Sequence, residues 1–322
     1  MPNELLRIEH LKKYFKTPRG LLHAVDDISF SLDSGKTLGV VGESGCGKST
    51  LGRTILGLLD ATDGNIIFRG ENITHTKGRR RRALQKNMQI IFQDPYSSLD
   101  PRYSVFEAIS EPLKVYHLCG NSREVLKDRV YELMGTVGLA RRFASAYPHE
   151  LDGGRRQRLG IACALALDPD FIVCDEPVSA LDVSIQAQVL NLLQDLQEQK
   201  KLAYIFITHD LSVAKHISDE ILVMYIGAMI EKCPSKLLFE HPLHPYTKGL
   251  LSAIPIPEIN VRRTRIIMQG EITSPLEPKP GCRFVQRCPY ADAACTSRTP
   301  DLVEIEPEHF VACHHVHDIN DL

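Results

Sequence analysis

The chain has 322 residues, 43% of them apolar and 24% charged, with a formal charge of -2. That length and composition suit one substantial core with a smaller appended unit, and the near balance of charge gives no global pull toward nucleic acid or an anionic membrane surface. The longest apolar stretch, about Leu159 to Leu167, is far short of the roughly 20 residues a membrane span needs.

The N-terminus, MPNELLRIEH, carries acids and lacks the apolar core of a secretory signal, so the chain is expected in the cytoplasm. Residues Leu5 to Leu32 contain two β-rich segments, the second with Val25, Ile28, Phe30 and Leu32 apolar, which predicts an antiparallel start. Thr37 to Val41 reads as a short buried strand, followed by a glycine-rich turn and an amphipathic helix from about Lys48 to Leu58. Asn65 to Phe68 and Met88 to Phe92 read as strands, and the basic run Lys77 to Arg82 between them as a solvated surface turn without function. From Pro95 to Leu165 the pattern is mainly helical, as in an inserted subdomain. Phe171 to Asp175 is a buried-strand pattern, Val183 to Gln199 a helix and Leu202 to Thr208 another strand, an alternation that predicts a parallel sheet. After about Leu251 the texture turns irregular and proline-rich, with Pro255, Pro257, Pro275, Pro278 and Pro280, which predicts a linker and a small appended domain.

The chemistry sits at the joints of that pattern. Gly42-Glu43-Ser44-Gly45-Cys46-Gly47-Lys48-Ser49-Thr50 fits GxxxxGK[ST] between a strand and a helix. In such a loop backbone N–H groups converge on phosphate oxygens at a helix N-terminus. Lys48 is then expected to reach the β- and γ-phosphates, and Ser49 to offer its hydroxyl to Mg²⁺. Phe171 to Glu176 is an apolar strand ending in two acids. Asp175 is expected to hold the Mg²⁺ shell, and Glu176 to activate water for attack on the γ-phosphate. Of nine cysteines, Cys46, Cys119, Cys163, Cys174 and Cys233 are scattered and read as buried or inert thiols. Cys282, Cys288, Cys295 and Cys313 are spaced C-x5-C-x6-C-x17-C. Four such thiolates accept zinc or a [4Fe-4S] cluster, and neighbouring His314 and His315 keep zinc open.

On these motifs, from Leu5 to about Leu251, the chain resembles the nucleotide-binding subunits of the ABC superfamily. The resemblance implies a P-loop NTPase ABC cassette of the α/β class. It would have a RecA-like parallel core, an antiparallel β subdomain and a helical subdomain at about 95–165, the nucleotide-binding domain covering 1–254. It further implies that Gln93, ending Ile90-Ile91-Phe92-Gln93, senses Mg²⁺ and contacts the membrane subunit. Ser179-Ala180-Leu181-Asp182 would cross a dimer interface, and His209 would contact the γ-phosphate. Phe15, with Tyr14 as the other choice, would stack on adenine.

Where the family typically carries Leu-Ser-Gly-Gly-Gln, this chain has Leu151-Asp152-Gly153-Gly154-Arg155. That segment would cap the ATP held by an opposing subunit. Asp152 removes a hydroxyl donor worth ~1.5 to 3 kcal/mol and adds a like charge, repelling by about 1 kcal/mol in water and roughly 4 at an intermediate dielectric. The ATP site it completes is expected to be weaker by about a hundredfold, unless Arg155 compensates by pairing with Asp152 or the phosphate or Asp152 serves only as a helix cap. Two unequal sites in a heterodimer follow from the first reading.

The tail, including His244-Pro245-Tyr246-Thr247 and the block from Gly281 to His314, resembles the C-terminal region of ATPases serving oligopeptide and dipeptide importers. This implies a domain over 255–322 holding a structural [4Fe-4S] cluster. It also implies a second ABC ATPase subunit, two membrane-spanning permeases and an extracytoplasmic solute-binding protein as partners, no nucleic acid, and a peripheral place on the cytoplasmic face of the membrane. A nickel-chelate importer, or an ATP switch with little turnover, stays open. A DNA-repair or translation ATPase does not fit, because neither a second cassette nor a long coiled-coil insertion is present.

Overall fold

A computed structural model describes residues 3–254, 266–268, 270, 274 and 276–322. The first 75 residues form β1 (Glu4–Thr17), β2 (Gly20–Asp33), β3 (Thr37–Val41), α1 (Lys48–Ile55), β4 (Asp63–Phe68) and β5 (Glu71–Asn72). Residues 76–205 hold α2 (Gly78–Asn87), β6 (Met88–Ile91), α3 (Pro95–Ser98), α4 (Val105–Val115), α5 (Arg123–Thr136), α6 (Gly153–Leu165), β7 (Phe171–Asp175) and α7 (Val183–Lys200). Then come β8 (Ala203–Ile207), α8 (Leu211–Ile217), β9 (Glu220–Tyr225), β10 (Ala228–Pro234), α9 (Ser235–Glu240) and α10 (Pro245–Ser252). The tail adds α11 (Ala293–Ser297), β11 (Val303–Glu306), β12 (His309–Val311) and α12 (Val316–Asn320). The chain divides into two compact units, one of residues 1–33, 37–75 and 206–322, the other of 34–36 and 76–205.

In the first unit β2, β1, β4 and β5 make an antiparallel sheet in that order. Its inner face is the expected apolar set, with Leu6, Ile8, Leu11, Val25, Ile28, Phe30 and Leu32 all buried. Here too β3 and β9 pair in parallel, Val40 opposite Leu222, while β9, β10, β12 and β11 continue antiparallel. Every residue of β3 is buried, the continuous apolar run of a strand covered on both faces. The tail enters this core, since Phe284 packs with Tyr225 and Tyr246 as three edge-to-face rings 4.7 to 5.5 Å apart.

Glu231 on β10 is fully buried and accepts from Leu243 N (2.7 Å) and His244 N (3.1 Å), with His309 Nε2 at 2.8 Å. One carboxylate thus gathers β10, the start of α10 and β12, its lone pairs filled by three partners. The boundary expected at 254/255, with Pro255, Pro257 and Pro275, lies outside the described residues.

In the second unit β6 and β7 pair in parallel, Met88 opposite Phe171 and Ile91 opposite Cys174, and the expected helical stretch contains α3 to α6. Ser104 and Glu107 close a capping box on α4. Two boundaries differ from the sequence reading. The basic run is not a turn but the first half of α2, none of whose residues is buried. Arginine, alanine, leucine, glutamine and lysine are all good helix formers, so local propensity carries a solvated helix there. Helix α1 stops at Ile55 rather than Leu58, because Gly57 turns left-handed (φ 65°) and Leu58 N donates back to the Arg53 carbonyl.

Candidate functional site

The phosphate loop joins the end of β3 to α1. Gly47 caps α1 with φ 107°, and a Cβ there would lie 2.0 Å from the Ala24 carbonyl oxygen, so only glycine fits. Lys48, 4% exposed, donates from Nζ to the carbonyls of Gly42 (2.8 Å) and Glu43 (3.0 Å), which bends its ammonium back over the loop. Ser49 and Thr50 follow in the first turn of α1, and Ser44 and Gly45 are exposed at the loop tip. Burial pushes the Cys46 thiol up, leaving it an inert packing group.

Of the two candidate aromatics, Tyr14 is committed to a polar network. Its ring stacks on His23 at 3.8 Å and its hydroxyl donates to Asp26. Burial, then this bond, raises the Tyr14 hydroxyl; burial works against ionisation of Asp26 too, yet bonds from Tyr14 and His23 hold it below the ordinary carboxylate range. Phe15 is half-buried, with Lys13 Nζ 4.9 Å from its ring centre. His209 stands exposed after β8, just before Asp210, which caps α8 through Ser212 N at 2.8 Å.

In the second unit β7 is wholly buried and delivers Asp175 at 1% exposure. Glu176 follows in a left-handed conformation (φ 49°), which a non-glycine residue seldom adopts outside constrained sites. Gln93 donates from Nε2 to Glu176 Oε2 at 2.9 Å. The register explains the meeting: Ile91 lies opposite Cys174, so the residues two positions beyond each emerge side by side. Ser179 donates from its hydroxyl and its backbone N to the Glu176 carbonyl, tying the following loop to the glutamate, and Asp182 sits exposed at the N-cap of α7.

Asp152 is the N-cap of α6. Its Oδ1 accepts from Arg155 N (2.8 Å), its Oδ2 lies 2.9 Å from an Arg155 Nη, and the Arg155 guanidinium sits 4.6 Å from the centre of the Phe143 ring. Capping and pairing with Arg155 therefore occur together. Gly153 and Gly154 form the first turn behind them.

In the tail Cys282 N donates to the Cys295 carbonyl at 2.7 Å. Burial pushes the Cys282 and Cys313 thiols up to about 11, and, among the described residues, no three of the four tail cysteine sulfurs lie within 4.8 Å of one another. Among the described residues, the group whose metal-ligating atoms lie within 4.8 Å of one another is Asp292, Cys295 and His315. Asp292, absent from the sequence reading, caps α11 through Cys295 N at 2.9 Å; the Asp-x-x-Cys spacing was its only signal. His314 instead places Nε2 2.8 Å from the Arg298 carbonyl. Sequence reasoning also missed Arg287, whose guanidinium donates to both Glu43 carboxylate oxygens at 2.7 and 3.0 Å.

A family profile described as ABC transporter matches residues 25–179, and another, Oligopeptide/dipeptide transporter, C-terminal region, matches 230–295. The chain is 49% identical to the oligopeptide transport ATP-binding protein AppF of Bacillus subtilis over 96% of this chain and 97% of that one. To OppF of Escherichia coli it is 49% identical over 94% and 90%. The chain belongs to the ABC transporter ATP-binding family. To DppF of Haemophilus influenzae, a dipeptide transport ATP-binding protein, it is 46% identical over 97% of each chain. The dimeric ATP-binding cassette MJ0796, bound to ADP and Pi, matches 72% of this chain and 99% of its own with a TM-score of 0.67 and 25% identity. The expected α/β ABC cassette is thus the fold, and this ABC protein is an ATPase subunit that binds ATP with Mg²⁺. No helix among the described residues is long and apolar enough to cross a membrane.

Proposed function

We propose that this ABC ATPase energises import of dipeptides or oligopeptides. The observation that carries the reading is the pairing, in one chain, of a cassette with the oligopeptide/dipeptide C-terminal region, in near full-length relatives named for those cargoes. We read the division as a nucleotide-binding domain over 1–254 and a C-terminal domain over 255–322, the matched C-terminal region itself beginning at residue 230.

The residue roles follow from chemistry. Lys48 neutralises charge on the β- and γ-phosphates while the loop amides of Gly42 to Thr50 bind their oxygens. The oxygen donors of Ser49, Asp175 and Gln93 suit a hard divalent cation, which compensates charge on the transferred phosphoryl group when bound. Glu176 takes the proton of the attacking water, and the 2.9 Å bond from Gln93 aims its carboxylate. His209 donates to the γ-phosphate, and Phe15 stacks on adenine. Asp152 to Arg155 and Asp182 face the ATP of a second ABC subunit, and closing and reopening of that pair at the cytoplasmic face drives two permeases loaded by an extracytoplasmic solute-binding protein. The reading of a heterodimer of unequal sites, with this chain's phosphate loop in the stronger one, then rests on the hydroxyl that Asp152 lacks, since its charge is met by Arg155.

Cys282, Cys288, Cys295 and Cys313 supply the four thiolates a [4Fe-4S] cluster takes, with zinc as the other ion such a set accepts. This reading rests on their spacing; the donors the structure gathers are Asp292, Cys295 and His315, with one of the four cysteines among them.

The test is Glu176→Gln in the assembled transporter, set against the equivalent change in the partner. Turnover and peptide uptake are expected to fall by roughly a hundredfold or more in this chain's variant, with ATP binding retained and a smaller loss for the partner's variant. Equal losses refute the unequal sites, and undiminished uptake refutes the coupling role.

A further inference from the structure

Two of the four tail cysteines bracket a short segment, Cys282-Arg283-Phe284-Val285-Gln286-Arg287-Cys288. Phe284, 1% exposed, is its buried pin. On either side of that pin an arginine leaves the segment, Arg287 ending on the phosphate loop and Arg283 on residues that contact Tyr14 and precede a phosphate-loop partner.

Arg287, beside Cys288 and 9% exposed, holds Glu43 of the phosphate loop by a fork of two charge-assisted bonds (2.7 and 3.0 Å), its Nη1 also lying 3.4 Å from Tyr225 Oη. The same Glu43 donates its backbone N–H to Tyr246 Oη at 3.0 Å and gives its carbonyl to Lys48 Nζ at 3.0 Å. The chain of contact therefore runs Cys288, Arg287, Glu43, Lys48. Arg283, beside Cys282, donates to the Ile226 carbonyl and to Asp26. Asp26 accepts from Tyr14, the neighbour of Phe15, and Ile226 precedes Gly227, whose N–H donates to the Cys46 carbonyl of the phosphate loop at 2.8 Å. The Arg287 arm is a buried fork onto one carboxylate and the Arg283 arm a part-buried pair of bonds to two acceptors; such geometry lets arginine fix a partner's orientation as well as its charge.

We propose that the cysteine segment is a clamp on the nucleotide site, with Arg287 positioning the phosphate loop through Glu43 and Arg283 positioning the aromatic edge through Asp26, so that ATP binding and closure of the segment are linked. This rests on the reading of Gly42 to Thr50 as the ATP site. Linkage is reciprocal: if the closed segment tightens ATP by some factor, ATP closes the segment by that factor. The two arginines are positioning residues; neither touches the nucleotide in this account.

The full-length chain, as purified, carries the test. The readouts are the Kd of a fluorescent ATP analogue with Mg²⁺ and the rate of backbone hydrogen–deuterium exchange over residues 282–288, followed by peptide mass spectrometry with and without Mg-ATP. Loss of one charge-assisted fork is expected to weaken ATP about tenfold in Arg287→Gln. Glu43→Gln is expected to do the same, the double variant being no worse than either single one. Mg-ATP is expected to slow exchange in the wild type and to lose that effect in both single variants, while Arg287→Lys, which keeps charge without the fork, falls between. Should Arg287→Gln fail to fold, Glu43→Gln and Arg287→Lys carry the same comparison. Unchanged Kd in these variants, or exchange indifferent to Mg-ATP in the wild type, overturns the clamp. Lys48→Ala separates the two levels: if it still binds ATP, the phosphate-loop reading itself is at fault.

Discussion

Restoring serine at position 152 separates capping from ATP recognition. In Asp152→Ser the α6 cap survives, because serine and aspartate cap helices about equally well. What the fold loses is the Asp152–Arg155 pair at 2.9 Å, whose side chains are 59% and 43% exposed; pairs so solvated contribute about 0 to 1 kcal/mol. The melting temperature is therefore expected to move little. ATP completed by this segment behaves differently, since it regains a hydroxyl donor worth ~1.5 to 3 kcal/mol to a charged acceptor, while the carboxylate it loses was already balanced by Arg155. That tightens the ATP site this segment completes by about ten- to a hundredfold, with Arg155 released from Asp152 and still 4.6 Å from the centre of the Phe143 ring. Titrating the assembled transporter with a fluorescent ATP analogue should turn a two-step isotherm into one closer to a single step. An unchanged isotherm with an unchanged melting temperature would refute the reasoning and leave Asp152 a cap alone.

Two further outcomes are expected. Anaerobic purification should give a brown protein with iron and sulfide in equal amounts, four of each per chain being the content of one [4Fe-4S] cluster; a colourless protein with one zinc assigns the thiols to zinc. Acid should weaken the fold through His244, whose imidazole burial lowers to about 4 against the pull of Glu231. The unfolded chain, near 6.5, binds more protons between those values, so this contribution is complete above pH 6.5 and is lost as the pH falls. The loss between pH 7 and 5 is about 2 kcal/mol, measured by urea unfolding, and His244→Asn, which keeps the cap on α10, should flatten it.

How much of this was legible depends on the separation of the residues involved. The phosphate loop and the Asp175-Glu176 strand end were readable because each is a local backbone device, fixed by glycines or by five successive buried residues. The contact between Gln93 and Glu176 needed only the knowledge that their strands are parallel neighbours, from which register does the rest. The basic run at 77–82 misled because charge was weighed and helix propensity was not. The forked bonds from Arg287 to Glu43 were invisible, since 244 residues separate the partners and neither carries a motif for the other. Resemblance alone prefers Phe15 over its neighbour Tyr14, and the packing of Tyr14 on His23 and Asp26 gives a physical ground for separating them.

The buried carboxylate of Glu231 bears on how this protein can be recombined. Two of its three partners, Leu243 and His244, precede the proline-rich stretch, but the third, His309, arrives from near the end of the chain. A chimaera joined anywhere between these points imports a tail that has to bring its own donor to position 309. Without one, the cassette keeps a solvent-inaccessible acid missing a bond, a defect worth about 1 to 3 kcal/mol. Tail grafts between family members should therefore sort by that single pairing, matched donors folding and unmatched ones failing, regardless of how similar the two tails are elsewhere.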